Sequence, residues 1–300
     1  MQSCPAARPY RCVSVALEAL ILHSADHQPN HSRVLSLCFS AYAPLSDAES
    51  DLLHGLAEAT RYHPPYRDLH AAEAPPSPAP RMIVAGWAAQ YRQLADGQRQ
   101  IVSLRLPGDF VVPLRQLRLP STCAVAALTE LETVNAQSLA DAGPAHPGLA
   151  HAVHVMTHLE TMLLGDQIVR LGRQTAGGRF AHLMLELYER LNRVGLAQDG
   201  RFAMPLTQEV LADVLGFSVV HVNRTIQQLR RDRLLDVRKG MAVLMQRERL
   251  QDLASWTPPA GLTAQPCHGS AAPALQRPAP VLPSPVLIGV DPTFATPTAK

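Results

Sequence analysis

Residues 206–231 read LTQEVLADVLGFSVVHVNRTIQQLRR, and their order of caps, apolar steps and turn residue decides how this 300-residue chain is to be read. Thr207 supplies a hydroxyl that accepts from free backbone amides at a helix start, and Glu209 puts negative charge in the first turn, where the helix dipole favours it. Leu211, Val214 and Leu215 continue as one apolar stripe. Gly216 then stands where the chain must leave the helix through positive φ, a conformation costly for any residue with a Cβ. Ser218 is placed to cap a second helix. At about 100° per residue, Val222, Ile226 and Leu229 lie within roughly 60° of one another and form a core face. Val220, Arg224, Gln227 and Arg231 fall on the opposite side.

That outward face carries groove-reading chemistry. A guanidinium bonds guanine O6 and N7 together, a glutamine amide pairs with adenine, and a valine packs on a thymine methyl. An amphipathic helix with a solvated polar face has the same periodicity, so the surroundings must decide. They follow at once. LLDVRKGMAVLM, residues 234–245, holds two β-prone runs joined at Arg238-Lys239-Gly240, a hairpin or wing. From Phe217 to Gly240, six cations (Arg224, Arg230, Arg231, Arg233, Arg238, Lys239) face two carboxylates, a local excess of four in a chain whose net charge is +2. Positive charge concentrated on one module suits duplex DNA, whose neutralised phosphates release counterions.

This helix–turn–helix with its wing resembles that of the Crp/Fnr family of bacterial transcription regulators. The likeness extends upstream: RQIVSLRLPGDFV, 99–111, resembles the family's sensory β-roll, and LGRQTAGGRFAHLMLELYERL, 171–191, resembles the stretch after its dimer helix. The resemblance implies an α+β fold: an N-terminal antiparallel β-roll, a long dimerisation helix and a C-terminal winged helix-turn-helix. The expected plan is a flexible extension over 1–41, a cyclic-nucleotide-binding-like roll over 42–146, the dimerisation helix over 147–172, the DNA-binding domain over 173–254 and a disordered Pro-rich tail over 255–300. It also implies a homodimer on inverted-repeat duplex DNA, with RNA polymerase as a further partner. Arg224 matches the family's recognition arginine. Val219 and Val220 stand where cyclic-AMP-responsive relatives carry an arginine-glutamate pair, so their operator does not transfer. Thr207, Gln208, Ser218, His221 and Lys239 are expected as phosphate or positioning contacts, with Asn223 beside them.

The input side departs from the pattern. Relatives that bind cyclic AMP hold it with a glycine-glutamate and an arginine-serine pair after the segment matching LPGDF; here Val112-Pro113 and Pro120-Ser121 occupy those places. Without that arginine the phosphate loses a charge-assisted partner, although Arg115 or Arg118 could approach from another angle. Cys4, Cys12, Cys38, Cys123 and Cys267 are scattered and odd in number, unlike a disulfide framework or an iron–sulfur ligand set. The effector is therefore unassigned, and neither cofactor nor metal is expected.

Between roll and DNA module, Leu149, Ala152, Met156, Leu159 and Leu163 repeat at three and four residues, the seam spacing of a coiled coil, although the seam is short and a single chain could also bury it internally; the family resemblance favours pairing with a second subunit. His151, His154 and His158 gather on the nearly opposite face. Imidazoles so arranged bind transition metals. No nearby cysteine or carboxylate completes a ligand set in the sequence, and a wetted polar face is the plainer reading.

No P-loop, HExxH helix or GxSxG elbow supports an enzyme. No run of about 18 apolar residues offers a membrane span, and VSVALEALIL near the start contains Glu18 and follows Arg8 and Arg11, unlike a signal peptide. A cytoplasmic location is expected. EAPPSPAP, 73–80, reads as a loop between strands. One alternative stays open: a ligand- or metal-binding β-roll protein whose C-terminal helical domain mediates protein association.

Overall fold

The computed structural model describes residues 31–69, 80–112 and 123–259. It opens with α1, His31–Ser40, which buries Val34, Leu35, Cys38 and Phe39. These residues were expected within a flexible extension; pairs four apart give the helix one apolar face, and tertiary burial orders it. Helix α2, Asp47–Glu58, starts with a capping box in which Ser46 Oγ accepts from the Glu49 amide at 3.3 Å and Glu49 accepts from the Ser46 amide at 2.8 Å.

The strands follow: β1 Thr60–His63, β2 Arg81–Ala85, β3 Ala88–Gln93, β4 Arg99–Arg105, β5 Phe110–Val112, β6 Ala124–Ala127 and β7 Leu131–Asn135. They form two antiparallel sheets, β1-β7-β2-β5 and β4-β3-β6. The sheet region thus begins at Thr60, not at Tyr42. Gly86 separates β2 from β3; its φ is +86°, and a Cβ there would lie 2.0 Å from the Glu130 carbonyl oxygen.

Alternation along the strands gives each sheet two buried faces. Ile83, Ala88, Val111, Val125 and Leu131 fill the space between the sheets. Met82, Val84 and Val134 turn instead toward α1. Ala89, Ile101 and Leu104 belong to a core shared with the C-terminal helices.

After α3, Gln137–Ala140, comes the 27-residue α4, Pro147–Arg173. Its stripe Leu149, Ala152, Met156 and Leu159 is buried within the chain itself, and Leu163 packs against the core that holds Leu159. The expectation that this stripe pairs with a second subunit is therefore corrected. A heptad spacing marks an apolar face without naming what covers it, and here α1 and the outer sheet surfaces do so.

The C-terminal part comprises α5 Ala176–Arg193, β8 Ala197–Gln198, β9 Arg201–Ala203, α6 Gln208–Leu215, α7 Val219–Arg231, β10 Leu235–Arg238, β11 Met241–Leu244 and α8 Arg247–Ala254. Its sheet order is β10-β11-β9-β8. Trp256, expected in the tail, is 7% exposed, and its Nε1 donates to Asp166 of α4 at 3.0 Å. Among the described residues, no helix is long and apolar enough to cross a membrane.

Candidate nucleic-acid interface

The helix pair is built by local backbone chemistry. Thr207 Oγ1 accepts from the Val210 amide at 3.3 Å, and Ser218 Oγ accepts from the His221 amide at 3.3 Å, so each helix begins on a side-chain cap. Gly216 ends α6 at φ 67°, ψ 38°, and a Cβ there would sit 3.3 Å from Leu171 of α4. The turn thus needs glycine for its conformation and is crowded as well. Val222, Thr225, Ile226 and Leu229 face inward on α7.

The other face of α7 is open. Val219, Val220, His221, Asn223, Arg224, Gln227 and Arg231 are all exposed, Val220 at 61%. One shallow groove is lined by Gln208, Val219, Val220, Asn223, Arg224, Gln227 and Arg231. An adjoining groove takes in Ser218 and His221 beside Val220, Arg224 and Arg231. A crevice toward the wing collects Thr207, Gln208, Asn223, Gln227 and Lys239. These three depressions together take in all eleven DNA-contact candidates named from the sequence.

Partners differ sharply among the cations. Arg224 makes no hydrogen bond or ion pair among the described residues, so its guanidinium is uncommitted. Arg230 is committed: Nε meets Asp236 at 2.6 Å and Nη2 donates to the Val237 carbonyl at 2.9 Å, fastening α7 to β10. Arg230 also donates to Gln227 Oε1 at 3.2 Å, and Arg231 to Gln228 Oε1 at 2.6 Å. The His221 ring stacks on Phe217 with centroids 4.5 Å apart, while the Arg179 guanidinium lies 4.9 Å from the Phe217 ring centroid and donates to the Leu215 carbonyl at 3.2 Å. Arg179 was missed by sequence reasoning because no local pattern shows that the start of α5 reaches this turn.

The wing hairpin pairs Arg238 with Met241 across Lys239-Gly240, both at positive φ (50° and 74°), a two-residue turn matching the strand twist. A second hairpin, β8–β9, extends this sheet around Asp199-Gly200, at φ 50° and 74°. It too escaped the sequence reading, although Asp-Gly between short β-prone runs is its signal.

This geometry is that of a known DNA-binding module. Residues 178–253 match the family model of the Crp-like helix-turn-helix domain. The nitrogen fixation regulation protein FixK of Bradyrhizobium diazoefficiens is 29% identical over 174 residues, covering 58% of this chain and 73% of that protein. The transcriptional activatory protein AadR of Rhodopseudomonas palustris is 25% identical over 225 residues, 74% of this chain and 90% of that protein. The structure of FixK2 from Bradyrhizobium japonicum superposes with a TM-score of 0.56 at 27% identity, covering 67% of this chain and 98% of that one. Residues 178–253 thus carry a Crp-like helix-turn-helix domain, and the findings together support a transcription regulator of the Crp/Fnr type.

The sheet region is wired into the Crp-like helix-turn-helix domain. Asp109, in the LPGDF turn, accepts from the Leu106 amide at 2.7 Å and from Arg190 Nη2. Arg190 Nη1 donates to Glu186 at 2.8 Å; Glu186 also accepts from Arg170, whose Nη1 donates to Gln167 at 2.7 Å. Gln167 Nε2 then donates to the Val214 carbonyl at the end of α6, at 2.9 Å. Burial alone would raise the Glu186 carboxyl, but the Arg170 and Arg190 guanidiniums more than reverse this and hold it below the ordinary glutamate range.

The effector positions that distinguish Crp/Fnr members are only partly in view. Val112 ends β5, whereas Pro113, Arg115, Arg118, Pro120 and Ser121 lie outside the described residues, as do Cys4, Cys12 and Cys267. Cys38 is buried, its thiol pushed up to about 11 mainly by desolvation. Cys123 is partly buried.

Proposed function

We propose that the chain acts as a homodimer that sets α7 of each subunit into successive major grooves of an inverted-repeat site, with half-sites about one helical turn apart. Arg224 reads a base edge, and Val219 and Val220 offer apolar contact to thymine methyls. Gln227 can pair bidentately with adenine only when Arg230 releases its oxygen. Thr207, Gln208, Ser218, His221 and Lys239 position the module on phosphates, while Asn223 and Arg231 face the groove beside Arg224. The plan behind this reading is a roll, a long helix and a DNA-binding domain, in a cytoplasmic protein without catalytic activity that acts with RNA polymerase.

The observation that carries it is the uncommitted Arg224, which lines both grooves of the exposed α7 face beside Gln208, Ser218, Val220, His221, Asn223 and Gln227. An unpaired guanidinium amid apolar and amide groups is free to turn toward a base edge. The test is selection of bound sequences from random duplexes, followed by a salt titration of the best site. The expected result is an inverted repeat whose affinity falls steeply with salt. Binding with no sequence preference, or none at all under low salt, would overturn the proposal.

A further inference from the structure

Helix α4 leaves one long face outside the chain's own cores. His151, His154, His158, Thr161, Gly165 and Ile168 are all exposed, Ile168 at 72%. They step by three and four residues throughout, the spacing of a coiled-coil seam, on the side opposite the buried Leu149–Leu159 stripe. Met162, 40% exposed, and Val169, 52% exposed, flank them. The face carries no Asp, Glu, Lys or Arg. A helix face meant for water is ordinarily charged, so an uncharged, heptad-spaced face ending in exposed isoleucine and valine fits a second copy of the same helix. This step rests on the dimer reading above.

Parallel two-fold pairing sets each seam residue against its own copy. The three histidines would then form successive imidazole layers across the dyad. His154 and His158 are four residues apart, the spacing by which two histidines of one helix share a metal ion in zinc-binding helices. Two such pairs, one from each copy, supply the four nitrogen donors of a tetrahedral site. Among one chain's described residues no group of three or more His, Cys, Asp or Glu is positioned to hold a metal, so the second copy supplies the other two donors. We infer that His154 and His158 from both subunits bind one imidazole-preferring divalent transition metal ion at the dimer seam, with His151 lining the layer above. Because the site exists only in the dimer, the metal strengthens dimerisation by mass action.

The experiment is sedimentation velocity of the full-length chain in chelator and in Zn2+, with calorimetric titration of Zn2+ for stoichiometry. One zinc per two chains is expected, and at free zinc about a hundred times the site's Kd the dimer dissociation constant falls about a hundredfold. His154→Ala and His158→Ala should each abolish the zinc effect, whereas His54→Ala, at an exposed histidine of α2, should keep it. Ile168→Glu should give a monomer that binds no zinc with this stoichiometry. A dimer indifferent to zinc, zinc uptake unchanged by the seam substitutions, or one ion per chain surviving in Ile168→Glu would overturn the metal site while leaving the dimer standing. A chain that stays monomeric with and without zinc would overturn the dimer reading, and the metal site with it.

Discussion

The Arg99 guanidinium of β4 grips the Asp213 carboxylate of α6 through Nε at 2.8 Å and Nη2 at 2.6 Å, so a strand of the roll holds the first helix of the DNA-binding pair. Gln100 adds a bond to the Asp213 carbonyl at 2.7 Å, beside the one from Gln167 to Val214. Burial raises the Asp213 carboxyl above its ordinary value, and Arg99 offsets only part of this. The contact therefore fixes orientation more than it adds stability. A double-mutant cycle between Arg99→Ala and Asp213→Ala should show a coupling of about 1–2 kcal/mol, while the double variant unfolds close to wild type. Zero coupling in thermal or denaturant unfolding would mean the grip is incidental.

Arg224→Ala should relax preference at one base pair per half-site and cost about 1–3 kcal/mol on the selected operator, with little loss on random duplex. Lys239→Ala should weaken binding to all sequences alike and lower the salt slope by about one. Arg230→Ala belongs to a different class, because its ties to Asp236 and Val237 place it inside the fold. It should lower stability and DNA affinity together. Titrations of these variants against specific and random duplexes separate the roles; a uniform loss for Arg224→Ala would move base reading elsewhere on α7.

What was legible in the sequence is what local chemistry writes. Thr207, Gly216 and Ser218 act on their own backbone neighbours, and the structure finds each in that role. The buried stripe of α4 was legible as a stripe, but its partner was not, since period alone cannot distinguish α1 and the sheet faces from a second subunit. Helix α1 has its signal in Val34, Leu35, Cys38 and Phe39, yet its order depends on strands some fifty to a hundred residues away that bury it. Trp256 looked like the start of a proline-rich tail; only the fold brings Asp166 to its indole. Gathering Gln208 and Lys239 beside α7 likewise required the wing to fold back on the helix pair.

Glycine substitutions give opposite signs at two positions. Gly216→Ala forces an L residue into φ 67° and brings a methyl against Leu171, so destabilisation of about 1 kcal/mol or more is expected. Gly55 lies inside α2 with nothing within 4 Å of the added Cβ, and Gly55→Ala should stabilise by about 0.5–1 kcal/mol through reduced freedom of the unfolded chain. Denaturant unfolding measures both, and a loss at Gly55 would indicate that α2 is not helical there in solution.

The Asp109–Arg190–Glu186–Arg170 chain makes acid sensitivity predictable. Glu186 titrates below its ordinary value of 4.5 in the folded state, so the folded form binds its proton less readily than the unfolded chain. The stability this contributes is fully present above about pH 4.5 and is lost as pH falls through the lowered folded value. Asp166 adds in the same sense: burial opposes its ionisation, but hydrogen bonds involving His182 and Trp256 win, and it titrates below 3.8. Glu186→Gln leaves Arg170 and Arg190 buried without their shared carboxylate, which should cost about 3–5 kcal/mol at neutral pH. The variant should also lose less further stability on acidification than the wild type, because the titrating group is gone. Melting curves from pH 7 down to pH 3.5 would show the two lines converging; parallel lines would mean that Glu186 carries none of the acid response.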